Sequence, residues 1–321
     1  MKILRMAAAI VATMGLLSQA HAQNWPSQPV RIVVPTPAGS SVDIVARVIG
    51  DKLKDSLGQP VVVENRAGAG GTIGADVVAK ARDGHTLLLG YNGPLTVAPS
   101  LFPKLPYDPT KDLQPVILAA TQPNVLAVRS DLGVSNLKQL IAYVKARPGK
   151  LDYASVGNGS LSHLSMEMLK MDAGLYMLHV PFNGGPPAAQ ALAAGEVQMG
   201  FAALSNVQPL VKSGKVKLIA VSNGKRSVAL PDVPTVAEQG FPGFDATTWN
   251  GFLAPASMPK DVVARLNRSI NQILAQPDVR NKLLAAGAEP AGGSPEEFAA
   301  LMKTEFAHWP PVVKRSGAKV N

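Results

Sequence analysis

Hydrophobic positions along the chain follow two alternating rhythms. Short β-branched and aliphatic runs, such as RIVV at 31–34 and VVVE at 61–64, read as strands buried in a largely parallel sheet. Between them apolar residues recur at helical spacing, as with Val45, Val48, Ile49 and Leu53, until Gly58 closes the helix. The pattern predicts further strands at 86–90, 116–120, 125–129, 151–156, 178–182, 197–201, 216–221 and 247–253. Helices are predicted at 136–146 with Ser135 as N-cap, after 157–160, after 183–187, from Pro259 onward, and behind the cap Ser294. Strands alternating with helices over the whole length predict an α/β fold.

The turns between these elements carry the candidate chemistry. Pro35 and Pro37 stop the first strand, and Ser40 followed by Asp43 resembles a capping box at the start of the next helix. Unpaired N–H groups of residues 39–42 would then lie at the carboxyl end of a strand, where open α/β sheets bind ligands and where the helix dipole favours an anion. The run GNGSLSHL at 157–164 repeats this logic, with Ser160 and Ser162 as caps or donors and His163 in the first helical turn. His163 reads as a partly buried ring bonded to backbone rather than a catalyst, because no matching acid and no G-x-S-x-G elbow accompanies it. Asn183-Gly184-Gly185-Pro186-Pro187 forms a third turn of the same kind, with proline tolerated in the first helical turn. Tyr91-Asn92-Gly93-Pro94 is a further strand-end loop.

Glycines at 68, 70 and 74 approach a dinucleotide fingerprint without matching its spacing, and no acidic residue ends the following strand. A tight backbone turn explains them better, and no cofactor is expected. Met166, Met168 and Met171 read as core filler rather than a metal site.

The 321-residue chain has no cysteine, so no disulfide or thiolate–metal site supports it, while 46% apolar residues supply a core. A basic MKILR, a short apolar stretch and the small-x-small site AHA predict a signal peptide over 1–22 and a mature start at Gln23. The formal charge of +9 falls to +7 without Lys2 and Arg5, and the remaining basic residues are scattered, which argues against nucleic acid. The proline-rich stretch 99–115 leads toward a crossing near 122–124, and the chain returns near 245–248. These crossings predict one domain from 23–123 and 246–321, with a second, 124–245, inserted into it across a hinge.

The motifs WPSQPVRIVVPTPAGSSVDIVAR, VVVENRAGAGGTIGA, GNGSLSHL, HVPFNGGPPA, ALPDVPTVAEQGFPGF, TTWNGFLAP and SPEEFAALMKTE resemble the Bug (Bordetella uptake gene) receptors of tripartite tricarboxylate transporters, over nearly the whole mature chain. The resemblance implies a type II periplasmic binding protein: two α/β domains joined by a hinge, with the ligand cleft between them. It implies a non-enzymatic, monomeric periplasmic receptor for a small carboxylated solute, which it delivers to membrane permease subunits. Carried over by position, the ligand-binding residues are Ala38, Gly39, Ser40, Asp43, Ser160, His163, Asn183 and Gly184. Three departures stand out. Thr36 and Ser40 replace an aromatic and a glycine of the first loop, Ala202-Ala203 replace an aspartate that would meet an ammonium, and Pro310-Pro311 are expected to end the last helix. Signalling to a membrane sensor, or an exported nucleotide-dependent enzyme, are the competing functions.

Overall fold

The strand Val30–Val34 (β1) buries Ile32, Val33 and Val34 completely, as a central parallel strand requires. A computed structural model describes residues 25–319, so the expected signal peptide and its cleavage site lie outside the described residues. Helix α1 (Ser41–Leu57) lays Val45, Ala46, Ile49 and Leu53 against the sheet and ends at Gly58, whose φ of 69° suits the left-handed cap. Each large side chain so buried stabilises by about 1.5–3 kcal/mol relative to exposure.

Strand β2 (Val61–Asn65), helix α2 (Thr72–Ala79) and strand β3 (Thr86–Tyr91) complete a parallel β2-β1-β3 unit. A helical turn at Gly93–Val97 and helix α3 (Ala98–Leu101) follow, where the sequence suggested irregular chain. Strand β4 (Leu113–Gln122) is longer than predicted and runs through Pro115, because a register shift opposite Phe252/Leu253 accommodates the proline. Strand β5 (Asn124–Arg129) begins two residues later and belongs to a different sheet.

Helix α4 (Leu137–Lys145) is capped by Asn136 rather than Ser135: Asn136 Oδ1 accepts the N–H of Gln139, whose own side chain accepts the N–H of Ser135. Strand β6 (Asp152–Ser155), helix α5 (Leu161–Ala173), strand β7 (Leu178–Pro181), helix α6 (Gly185–Ala194), strand β8 (Met199–Ala203), helix α7 (Leu204–Lys212) and strand β9 (Val216–Val221) follow. The chain then returns through β10 (Thr248–Pro255), α8 (Lys260–Leu274), α9 (Pro277–Ala285), β11 (Glu289–Pro290) and α10 (Pro295–Ser316).

The result is two sheets, ordered β11-β4-β10-β3-β1-β2 and β7-β6-β8-β5-β9. Their strand orders correspond. In each, a central strand (β1 or β6) lies between two parallel neighbours, and the next strand (β10 or β5) runs antiparallel. Hydrogen bonds knit the crossing: Asn124 Nδ2 donates to Thr248 Oγ1 at 3.0 Å, and Ser222 Oγ donates to Ala246 O at 2.9 Å.

The last helix departs from expectation. Pro310 and Pro311 lie inside α10, which continues to Ser316. Both prolines face solvent, where water can take the carbonyls that they leave unbonded, while Trp309, Val312 and Val313 beside them are buried. Burial on one face outweighs the lost hydrogen bonds on the other. The helix also spans two cores. Phe298 and Met302 join the cluster around Trp249 and Leu253, whereas Trp309, Val312 and Val313 join the cluster around Tyr153 and Leu164. Midway, Glu305 accepts bonds from Asn92 Nδ2 (2.7 Å), Thr96 Oγ1 (2.7 Å) and Trp309 Nε1 (3.0 Å).

Trp309→Ala is expected to cost about 3–5 kcal/mol, as large-to-small core changes do. Pro310→Ala, which restores a helical N–H at an exposed position, is expected to be neutral or stabilising. Urea unfolding of both variants checks the pair.

Candidate functional site

The two central strands lead into helix starts of one design. In the first, Ser40 Oγ accepts the N–H of Asp43 at 3.2 Å and lies 2.6 Å from Thr36 Oγ1. Gly39, at φ 78°, donates its N–H to Asp43 Oδ2 at 2.8 Å. The reciprocal half of the expected capping box is therefore displaced by one residue, to the glycine before the cap. Asp43 is only 2% exposed, and its oxygens also accept from Arg47 Nε (2.9 Å) and Asn65 Nδ2 (2.9 Å). Burial pushes its pKa up, but the bonds from Arg47, Gly39 and Asn65 and the charge of Arg47 outweigh this and hold it below its ordinary 3.8.

Donor use at this turn differs from the sequence expectation. The N–H groups of Gly39 and Ser40 were expected to be free, yet the first goes to Asp43 and the second to Pro37 O. Those of Ser41 and Val42, the first two of the helix, have no intrahelical acceptor. Asp43 is a brace beneath the turn rather than an exposed contact. Ala38 and Gly39 are exposed, and Ser40 is half-buried.

The second helix start repeats the arrangement. Ser160 Oγ accepts the N–H of His163 at 3.3 Å and donates to Gly157 O at 2.6 Å. Gly159, at φ 70°, donates its N–H to His163 Nδ1 at 3.1 Å. Ser162 Oγ takes the N–H of Val156, and the backbone N–H groups of Leu161 and Ser162, the first two of the helix, have no intrahelical acceptor. His163 is 5% exposed and stacks on His179, with ring centroids 3.9 Å apart and planes 5° from parallel. Burial lowers the pKa of His163, and burial together with the neighbouring His163 and Lys170 lowers that of His179 to about 3. Both rings are neutral at pH 7, and His163, accepting at Nδ1, carries its proton on Nε2.

The third turn lies beside the second: Phe182 N donates to Ser155 O, and a Cβ on Gly157 would sit 3.8 Å from Phe182 O. Asn183 is exposed there, and Gly184, at φ 104°, bonds back to Phe182 O before α6 begins.

The glycine run of 68–74 has a packing explanation. A Cβ on Gly71 would lie 2.9 Å from Tyr91 Oη and 3.3 Å from Pro35 O, and one on Gly74 would lie 2.9 Å from Arg66 O. These contacts gather the first-sheet turns together. Segment 92–101 continues the line, since a Cβ on Gly159 would sit 2.2 Å from Leu101 Cδ1. The turn after β1 is thus joined, through the segment after β3, to the turn after β6.

Several contributors escaped the sequence reading. Asn65, Arg47 and His179 act across strands or turns, which no local motif signals. Gln122, Asn223 and Asn250, buried near the crossing, each carry a side-chain polar atom without a hydrogen-bond partner. Among the described residues no group of three or more acidic or histidine side chains is placed to hold a metal ion. An open groove of about 610 Å³ lies elsewhere, beside β9, and none of the candidate residues lines it.

Residues 45–318 match the family described as tripartite tricarboxylate transporter family receptor, a span that begins just after the first turn. The chain is 38% identical over 321 residues to protein BugT of Bordetella pertussis, covering 99% of this chain and 98% of BugT. Among solved structures, an R. palustris protein with adipate is 36% identical, with a TM-score of 0.85, covering 92% of this chain and all of that one. MatC from Rhodopseudomonas palustris with bound malate is 38% identical, with a TM-score of 0.80, covering 90% and 100%.

The two glycines should differ. Gly39→Ala meets only the left-handed backbone cost, about 1–2 kcal/mol, whereas Gly159→Ala must also displace Leu101 and should lose about 1–3 kcal/mol more by urea unfolding. Because the folded pKa of Asp43 lies below 3.8, its contribution is present above that pH and is lost as pH falls through the folded value. Asp43→Asn should therefore cost about 1–3 kcal/mol at pH 7 and progressively less as pH falls below 3.8, measured as paired denaturation curves.

Proposed function

Because the chain belongs to the tripartite tricarboxylate transporter receptor family, a family of solute receptors rather than enzymes, we propose that it captures a small carboxylated organic acid in the periplasm and delivers it to the membrane permease subunits of such a transporter. The observation that carries this reading is the pair of matched helix starts, one on each sheet, each presenting two backbone N–H groups without acceptors. Oriented N–H groups at a helix N-terminus suit a carboxylate, and the dipole of each helix adds to the attraction.

The magnitudes are sufficient. A charge-assisted hydrogen bond contributes about 1.5–3 kcal/mol, so four such donors reach the roughly 8 kcal/mol of micromolar binding even after some loss to ordering. No cation is needed at this site. Arg47 and Arg66, the arginines flanking the first turns, are engaged with Asp43 and Glu64. In this reading Ala38, Gly39 and Ser40 form one wall, Ser160 with Asn183 and Gly184 forms the other, and Asp43 and His163 support them from beneath. Water can bridge the acid to either wall nearly as well as a direct bond. The two domains, divided at 123/124 and 245/246, close on the acid as a hinge, and the protein works as a monomer. Export is by the signal peptide over 1–22. The relatives solved with adipate and with malate support a carboxylate as the recognised group.

Thermal-shift and calorimetric titration with malate, adipate and a panel of small mono- and dicarboxylates tests the reading. A ligand at 100 times its Kd should stabilise by about 2.7 kcal/mol. Silence across the whole panel, with stabilisation by a nucleotide instead, would falsify the receptor assignment.

A further inference from the structure

The two turns share a feature that capping alone does not require. In each, the glycine preceding the serine cap is in the left-handed region, and its N–H is taken by the side chain four residues later: Gly39 by Asp43 at 2.8 Å, Gly159 by His163 at 3.1 Å. The acceptors are both nearly completely buried, and each is held by further contacts. Asp43 is tied to Arg47 and Asn65, and His163 lies flat on His179. A free glycine N–H would leave the turn able to swing about its most permissive residue, and with it the aim of the next two donors.

We propose that Asp43 and His163 are matched positioning residues, each fixing the glycine before a serine cap so that the two following N–H groups stay aimed at the ligand. The second brace, being a neutral imidazole that accepts at Nδ1, is released when His163 takes up a proton, whereas the carboxylate of Asp43 is not switched by that event. This rests on reading the helix starts as the ligand site. A protonated His163 would carry hydrogen on Nδ1, turning an acceptor into a donor that faces the Gly159 N–H. The turn must then open or the glycine must find another partner.

The groups around His163 set where this happens. Glu167 and Lys170 come from its own helix, Tyr153 from β6 and His179 from β7. Glu167 Oε1 is occupied by Tyr153 Oη and, at 2.6 Å, by Lys170 Nζ. On the outer side of α5, Arg315 of α10 pairs with Asp172 at 3.8 Å. Burial disfavours the imidazolium, the charge of Glu167 favours it, and that of Lys170 opposes it, with burial dominant. The brace is thus complete above the ordinary histidine value of 6.5 and is lost as pH falls through the lowered folded value. Asp43, held below 3.8, stays ionised above that value.

The test reads the braces in ligand-free protein, so its outcome is independent of whether the receptor reading holds. In selectively ¹⁵N-glycine-labelled protein, the Gly159 amide signal should move in step with the His163 ring signal as the pH is lowered from 7.5, and the Gly39 signal should not follow that titration. At pH 7, His163→Leu should speed hydrogen exchange at Gly159 at least tenfold and leave Gly39 unchanged, and Asp43→Leu should do the converse. His163→Asn, which keeps an acceptor at Oδ1, should restore slow exchange at Gly159 and abolish the pH-dependent movement. A Gly159 signal that ignores the titration of His163 overturns the proposal. So does Gly159 exchange as slow in His163→Leu as in the unaltered protein. If the leucine variant does not fold, the titration and the asparagine variant decide.

Discussion

An α-helix cannot bond its own first N–H groups, and the arrangement of this protein turns on how that deficit is distributed. At α1 and at α5 the serine cap takes one donor, and a side chain below the turn takes the donor of the preceding glycine. What remains is a pair of adjacent donors at each helix start. Burying the capping partners makes this selective, because Asp43 and His163 have no solvent competing for the bond.

The equivalence of the two starts follows from that of the sheets. Each central strand is buried between parallel neighbours, so its chain must leave at the carboxyl end and climb into a crossover helix. The antiparallel strand that follows in each sheet, β10 or β5, lies beside the crossing, so the paired turns and the crossing are products of the same strand order. Asp43 and His163 occupy equivalent positions with different chemistry: one acceptor carries a permanent charge near neutrality, the other none.

Strand and helix positions were legible because they depend on apolar spacing, and the caps Ser40, Ser160 and Ser294 because capping is local. The boundaries moved where a neighbouring polar residue competed, as when Asn136 displaced Ser135. The use of the Gly39 donor was not legible, since it needed the orientation of a side chain one helical turn away. The His163–His179 stack joins a helix to a strand that follows it, and no spacing rule relates those positions. The expectation that Pro310 and Pro311 end the last helix failed because it weighed backbone bonds alone. The burial of Trp309 and Val312 beside them was invisible without the second core.

That helix has a mechanical consequence. It is anchored near its beginning by Phe298 and Met302 in one core and near its end by Trp309 and Val313 in another, and the two prolines remove the bonds to the carbonyls of Phe306 and Ala307 between those anchors. Any displacement of one core relative to the other would load this section, where two backbone bonds are missing within one turn. Glu305 sits at that section, clasping Asn92 and Thr96. The tail of the chain is therefore a strap across the two cores, and the gap in its bonding ladder is set by two exposed prolines.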